Sequence, residues 1–340
     1  MITVGRLTLA KRALLAPMAG ITDLPFRRIA TGFGAALAPS EMVASGELLT
    51  DRAATLARAE VDRSSGAAAV QIAGREAAPM AEAARRAEAA GADLIDINMG
   101  CPAKKVTSGL SGSALMRDPD HALSLIDAVV GAVNTPVTLK MRLGWDDATI
   151  NAPDIARRAE AAGITMITVH GRTRNQFYKG EADWRAVAAV KQAVDVPVIV
   201  NGDITDSDTA RRALALSGAD GVMIGRGAQG APWTPGAIGA ALAGEVPPPP
   251  PSGAALLDLI VVHYEAILSF YGVDLGVRIA RKHLSWYLGR LRGGAALRAR
   301  LMLMKDHGDV IAALRCDLSE AENAAVEDAA ADHKAVRRAA

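Results

Sequence analysis

Asp96-Ile97-Asn98-Met99-Gly100-Cys101-Pro102 closes the apolar run Ala92-Asp93-Leu94-Ile95 and opens a polar loop that reaches towards Pro119. The run reads as a short buried strand, and the loop as what leaves its C-terminal end. One of only two cysteines in the chain therefore stands just past a strand end, the position where barrel enzymes put their chemistry. Gly100 and Pro102 fix the backbone on either side of the thiol, and Asn98 brings both donors and acceptors suited to a planar heterocycle. A cysteine packed as a small apolar group is the plain alternative, but it would need none of these neighbours.

Outward from this strand, the chain alternates short apolar or β-branched runs with Ala-rich amphipathic stretches. Strands are expected over 13–17, 35–39, 67–72, 92–97, 136–141, 164–170, 197–201 and 220–225, and helices over 78–90, 120–133, 153–162, 182–194 and 206–217. Several helices open on Asp or Pro, and several end on a glycine that returns the chain to the next strand. Eight strand–helix units predict a (β/α)₈ TIM barrel with its site at the C-terminal strand ends. A doubly wound sheet is the rival, but it calls for a glycine-rich fingerprint after the first strand, where the chain has Ala16-Pro17-Met18-Ala19-Gly20. The barrel domain is expected over 1–245. The run Val246-Pro247-Pro248-Pro249-Pro250-Pro251-Ser252 forms a stiff linker over 246–252. Apolar spacing at 256–271, 277–291, 295–306 and from about residue 318 predicts a small all-α helical bundle over 253–330. Residues 331–340 are expected to fray.

Composition limits what such a chain can do. With 340 residues and 50% hydrophobic content it can bury a large core. Two distant cysteines and no Cys-x-x-Cys pair argue against a disulfide framework and a structural zinc site, and no metal is expected. The N-terminus shows no signal pattern, and no apolar run is expected to reach membrane-helix length. A soluble cytoplasmic protein follows. A net charge of +1 confines any nucleic-acid site to a local patch.

Polar residues at the strand ends carry the functional case. In order they are Pro17-Met18, Glu41, Gln71, Asn98 with Cys101, Lys140 with Arg142, His170-Gly171-Arg172, Asn201-Gly202-Asp203 and Gly225-Arg226-Gly227. Each alone is commonly a satisfied structural group, yet charge facing into a packed barrel at strand after strand has no structural reason. The glycines of Asn201-Gly202-Asp203 and Gly225-Arg226-Gly227 let backbone N–H groups approach an anion, and Arg226 adds charge-assisted bonds, which makes a phosphate cup. With Lys140, Gln71 and Asn98 able to bond a ring edge, the set is arranged as a flavin mononucleotide (FMN) site. A phosphorylated substrate without a cofactor fits the cup as well.

Ala16-Pro17-Met18-Ala19-Gly20-Ile21-Thr22-Asp23, Val70-Gln71-Ile72-Ala73-Gly74, Asp96 to Pro102, Lys140-Met141-Arg142-Leu143-Gly144-Trp145, Val169-His170-Gly171-Arg172-Thr173-Arg174 and Asn201-Gly202-Asp203-Ile204, in this order, are blocks that resemble one family, the tRNA-dihydrouridine synthases. Tyr178-Lys179-Gly180-Glu181-Ala182-Asp183-Trp184 and Arg281-Lys282-His283-Leu284-Ser285-Trp286-Tyr287 extend the likeness over nearly the whole chain. It is most similar to the bacterial B-type subgroup, also described as nitrogen-regulation-like proteins. The resemblance implies a flavin-dependent oxidoreductase in which an FMN-binding barrel and a helical tRNA-binding domain use NADPH to reduce uridine in the tRNA D-loop to 5,6-dihydrouridine. It implies FMN contacts from Pro17, Met18, Gln71, Lys140, His170, Asn201, Gly202, Asp203, Gly225 and Arg226. Asn98, Arg142 and Arg172 would face the substrate, and Cys101 would be the proton donor. Hydride reaching C6 of uracil leaves negative charge at C5, which a neutral thiol on the opposite face can protonate. Cys316 matches no motif of the family.

The second domain adds a physical argument for RNA. Arg278, Arg281, Lys282, Arg290, Arg292, Arg298, Arg300 and Lys305 cluster with few acids, near Tyr264, Tyr271, Trp286 and Tyr287. Cations bind phosphates and aromatic faces support unstacked bases. A solvated helical face with packing aromatics is the ordinary alternative. Arg278, Arg281 and Lys282 are the expected tRNA contacts, and a monomer is expected. An FMN enzyme acting on a free small molecule would not need this tail, and a non-catalytic regulator would not need Cys101 and Lys140.

Overall fold

The strands that carry the site form one parallel sheet. A hairpin of β1 (Ile2–Val4) and β2 (Leu7–Leu9) comes first. The sheet strands are β3 (Ala13–Leu15), β4 (Val43–Ala44), β5 (Ala69–Ala73), β6 (Leu94–Met99), β7 (Val137–Arg142), β8 (Ile167–His170), β9 (Val198–Asn201) and β10 (Gly221–Ile224). Their order is β3-β10-β9-β8-β7-β6-β5-β4, every pair parallel. The protein is described as a computed structural model over residues 1–50, 53–64, 66–291 and 293–320. The stretch 35–39, expected as the second strand, joins the ring without a ladder of its own. Ala36 N donates to Ala13 O and Leu15 N to Leu37 O, both at 2.9 Å, while Ser40 N donates to Ala69 O at 2.8 Å. Pro39 has no N–H to give, so paired strand geometry appears only at Val43–Ala44. With that correction the architecture is the (β/α)₈ barrel.

Strand periodicity sorts the side chains into two cores. Leu15, Val70, Ile72, Ile95, Ile97, Leu139, Met141, Val169 and Val200 pack outward with residues of the helices. Leu14, Ala69, Leu94, Ile199 and Met223 gather inside with Ile2, Val4 and Leu9 of the hairpin, which fill the N-terminal end of the barrel. Counting on by two from these inner positions reaches Gln71, Asp96, Asn98 and Asn201. The apolar plug below thus determines which residues face inward at the C-terminal end.

The barrel helices are α1 (Leu24–Gly32), α2 (Ser45–Leu48), α3 (Ala53–Arg58), α4 (Ala77–Ala89), α5 (Lys104–Thr107), α6 (Pro119–Val130), α7 (Ala152–Ala161), α8 (Trp184–Ala193), α9 (Ser207–Ser217) and α10 (Thr234–Leu242). Aspartate caps begin several of them: Asp23 accepts from Phe26 N, Asp118 from His121 N and Asp183 from Ala186 N. Asp206 and Thr209 form a reciprocal capping box.

By contacts the chain divides into two compact units, Met1–Ala228 with Trp233–Pro247, and Gln229–Pro232 with Pro248–Ala340. The second holds α11 (Gly253–Tyr271), α12 (Val273–Gly289), α13 (Gly294–Leu301) and α14 (His307–Glu320). The last helix therefore starts well before residue 318. Residues 321–330 of the expected bundle, the expected frayed tail at 331–340, and Arg292 lie outside the described residues. A further expectation is corrected here, since α11, at 19 residues, is long and apolar enough to cross a membrane by length and composition alone. Only part of it is apolar surface in need of cover. It buries Leu256, Ile260, Val261, Tyr264, Ile267 and Leu268, and it packs on α12 and α14. Inside this unit His263 Nδ1 lies 3.1 Å from Tyr287 Oη, and the rings of His263 and His283 meet edge to face at 4.8 Å.

Candidate active site

Cys101 sits on a loop whose backbone is held on every side. Asn98 Oδ1 accepts from Gly100 N at 3.1 Å and from Cys101 N at 2.9 Å. Arg142 Nε donates to Gly100 O at 2.7 Å, and Ser113 donates to Cys101 O from both its N (3.1 Å) and its Oγ (2.9 Å). Gly112, at φ 58°, makes this closure possible, because a Cβ there would stand 2.9 Å from Cys101 O. The thiol remains partly exposed at the mouth.

A chain of side-chain bonds runs from this loop into the barrel. Asn98 Nδ2 donates to Gln71 Oε1 (2.8 Å), and Gln71 Nε2 donates to Asp96 Oδ2 (2.6 Å). The other oxygen of Asp96 accepts from Thr138 Oγ1 at 2.7 Å. Strand register sets the order, with Gln71 opposite Asp96, Asp96 opposite Thr138, and Asn98 opposite Lys140. Burial pushes the Asp96 carboxyl up, against its bonds to Thr138 and Gln71 and the nearby Lys140.

The far side of the mouth is cationic. Lys140 Nζ makes one long hydrogen bond among the described residues, to Asn201 Oδ1 at 3.3 Å, while Asn201 Nδ2 donates to Met223 O. Burial, and then Arg142, lower the Lys140 ammonium to about 8. Burial also brings Arg142 down to about 10, with Arg172 adding to the effect against Tyr178 and Cys101. His170 is pushed well below its ordinary value, first by burial and then by Arg142, Lys140, Arg172 and Arg226. Its Nε2 lies 3.2 Å from Arg172 Nη1. A guanidinium only donates, so Nε2 accepts and the neutral ring carries its proton on Nδ1.

Asp203 gathers this side together. Arg172 Nη2 meets Oδ2 at 2.5 Å, Arg226 Nη2 meets Oδ1 at 3.0 Å, and Ala182 N donates to Oδ2 at 2.8 Å. Burial alone would raise this carboxyl, but the bonds from Arg172 and Ala182 hold it below its ordinary value. Gly202, at φ 116°, has no room for a side chain, since a Cβ would stand 2.8 Å from His170 Cδ2. On the first strand's loop, Met18 N bonds Thr22 Oγ1, and a Cβ at Gly225 would lie near the Met18 sulfur, which brings Pro17-Met18 beside Gly225-Arg226.

A family model described as "Dihydrouridine synthase (Dus)" matches residues 14–326. The chain belongs to the dihydrouridine synthase family. It is 62% identical over 324 residues to "Probable tRNA-dihydrouridine synthase" of Rhodobacter capsulatus, covering 95% of this chain and 99% of that one. It is 44% identical over 323 residues to "tRNA-dihydrouridine synthase B" of Pseudomonas aeruginosa, with 95% and 97% covered. Family membership makes the chain an enzyme, an oxidoreductase. Among solved structures, 2-naphthoyl-CoA reductase with 2-naphthoyl-CoA aligns at TM-score 0.58 and 13% identity over 72% of this chain and 52% of that one. Histamine dehydrogenase from Rhizobium sp. 4-9 aligns at 0.52 and 12% over 86% and 53%. At such identities the likeness is one of fold.

In this dihydrouridine synthase family member, the thirteen barrel residues other than Cys101 that were expected at the site divide by how far their polar groups are already engaged. Arg172 is 1% exposed, and besides His170 and Asp203 it donates to Lys179 O and Gly180 O. Its guanidinium is spent inside the protein, which makes it a clamp on the 171–183 loop rather than an open substrate contact. Arg142, also 1% exposed, ties Gly100 O to Thr173 O and Phe177 O. Arg226 is half exposed and Lys140 is under-bonded, so both keep capacity for a ligand. Arg278, Arg281 and Lys282 lie on α12 of the second unit. There Arg278 bonds Asp274 O of its own helix, and Arg281 Nη2 donates to Met304 O at 3.1 Å. Two residues went unassigned in the sequence. Asp96 could have been found from its period-two spacing to Asn98. Tyr178, with the guanidinium carbons of Arg142 and Arg226 each 5.5 Å from its ring, had only its family block as a signal. Among the described residues no group of three or more His, Cys, Asp or Glu is placed to hold a metal ion.

Proposed function

We propose that the chain is a flavin-dependent tRNA-dihydrouridine synthase, which reduces the C5–C6 double bond of uridine in the tRNA D-loop. The observation that carries this reading is the pairing of a pinned, partly exposed thiol with a cationic, hydrogen-bond-donating mouth. The charge and donors of that mouth suit an anionic cofactor such as FMN. The Lys140 ammonium has donors to spare, and Lys140, Arg142, Arg172 and Arg226 outnumber Asp96 and Asp203, so a negatively charged group would offset the burial and the mutual repulsion that lower Lys140 and Arg142.

In this reading Arg226, with the backbone at Asn201, Gly202 and Gly225, holds the phosphate of FMN, while Pro17 and Met18 line the same corner. Asp203 acts by keeping Arg226 in place. Lys140 would stabilise negative charge on the flavin ring, with Gln71 and the Nδ1–H of His170 as further donors. A bound FMN would supply hydride for C6 of the uracil, with NADPH as the source of the electrons. Asn98 and Arg142 stand beside the base, and Cys101 gives its proton to C5 from the opposite face. The barrel over 1–245 is the catalytic domain, 246–252 the linker and 253–330 the tRNA-binding domain, in a monomeric cytoplasmic protein. Incubating unmodified tRNA with the purified protein, FMN and NADPH tests this. Dihydrouridine in the digested D-loop supports it, and unchanged tRNA beside a flavin-loaded, NADPH-oxidising protein contradicts it.

A further inference from the structure

Asp96 is a buried carboxylate inside the barrel that the chemistry above does not use, and its bonds lead to the reactive loop. A carboxylate oxygen accepts, so Gln71 turns Nε2 towards Asp96 and Oε1 towards Asn98. Asn98 then donates from Nδ2, and its Oδ1 faces the N–H groups of Gly100 and Cys101. Backbone N–H groups only donate, so both ends of the chain demand the same orientation of the two amides. Among the described residues each amide is left with one spare N–H, a donor suited to a carbonyl oxygen such as those of uracil. Thr138, on the neighbouring strand, holds the second oxygen of Asp96 and so fixes the plane of the carboxylate.

We infer that Asp96 is a positioning residue of this active site: through Gln71 and then Asn98, its carboxylate fixes the loop that carries the Cys101 thiol and the donor that Asn98 presents to the base. The inference rests on the reading of Cys101 as the proton donor. It separates Asp96 from a carboxylate that merely stabilises the barrel, because its effect must pass through Asn98.

The test is a double-mutant cycle of Asp96→Leu and Asn98→Ala in a Cys316→Ser background, read in two ways. One is the rate at which N-ethylmaleimide alkylates Cys101 in the protein as purified. The other is anaerobic reoxidation of the reduced enzyme by unmodified tRNA. Alone, Asp96→Leu is expected to change alkylation by at least ~3-fold and to slow reoxidation by ~10-fold, whereas on top of Asn98→Ala it adds less than ~2-fold, the link being already cut. Asp96→Asn can accept from Gln71 with Oδ1 and donate to Thr138 with Nδ2, so both readouts stay within ~2-fold of wild type. Additive effects in the cycle, or an Asp96→Asn variant as impaired as Asp96→Leu, overturn the inference. If Asp96→Leu does not fold, Gln71→Met takes its place on the alkylation arm with the same expectation. Wild-type protein that tRNA cannot reoxidise contradicts the proposed function instead, while alkylation still decides the role of Asp96.

Discussion

The barrel mouth and the second unit both carry clustered arginines and lysines, and the two clusters are built differently. At the mouth Arg142 and Arg172 are almost wholly buried, and their donors are consumed by carbonyls and by Asp203. On α12, Arg278 is exposed and among the described residues bonds only its own helix, whereas Arg281 is half buried against Met304 O. A buried cation that is fully bonded organises structure, and it leaves ligand binding to neighbours with spare donors. An exposed one contributes little to the fold and is available to phosphate. Residue type alone does not separate these roles.

The sharpest way to break this contrast is Arg172→Met against Arg278→Ala. Removing Arg172 takes one of the three donors from Asp203, leaves Lys179 O and Gly180 O without theirs, and should cost about 3 kcal/mol of stability, read by urea unfolding. Arg278→Ala should cost less than about 0.5 kcal/mol. Equal costs would mean that burial does not divide the two clusters.

A smaller effect is expected at Lys140. Lys140→Ala should purify with most of its flavin lost. In the wild type, FMN affinity should fall as pH rises through about 8, where the cofactor-free ammonium gives up its proton. Lys140→Arg should flatten that pH dependence. Retention of flavin by Lys140→Ala would move the ring-binding edge elsewhere.

Within the second unit, Arg281→Ala should lose about 1 kcal/mol through its bond to Met304 O. Lys282→Glu should instead leave stability unchanged, weaken tRNA binding and reduce its salt dependence. The reverse assignment would show that the structural and RNA-facing roles have been exchanged.

The most gradual effect concerns acid. His263, lowered to about 3 by burial, and His283, lowered well below its ordinary value first by burial and then by His263 and Lys282, are neutral in the fold and become protonated in the unfolded chain below about 6.5. Their contribution to stability is complete above that pH and is lost as pH falls towards 3, at up to about 1.4 kcal/mol per pH unit for each histidine. Calorimetry of His263→Gln should show a shallower acid slope, and an unchanged slope would place the titration elsewhere.

Much of the fold was legible because the strands are continuous apolar runs and the helices begin at aspartate or proline. The inner face was legible too, since the inward parity of β5 to β9 carries Gln71, Asn98, Lys140, His170 and Asn201 near the C-terminal ends. Asp96 was harder to assign, because its meaning depends on the register that sets Gln71 and Thr138 on either side of it, and register belongs to strand pairs. The engagement of Arg172 was hidden for a similar reason, as Lys179 O and Gly180 O reach it only once the 171–183 loop folds back. The stretch 35–39 looked like a strand because its apolar content is strand-like, and a single proline decided otherwise. In α11, Asp258, His263 and Glu265 lie within an apolar sequence, and counting charges does not distinguish a helix packed on its neighbours from one that spans a membrane.

Proton donation by Cys101 is the central claim, and the two half-reactions test it separately. Cys101→Ala should fold, retain FMN and accept hydride from NADPH at the wild-type rate. Reoxidation of its reduced flavin by unmodified tRNA, followed anaerobically by the return of flavin absorbance, should slow by about 10²–10⁴-fold, the loss expected for a positioned general acid. Reoxidation at the wild-type rate would contradict the account.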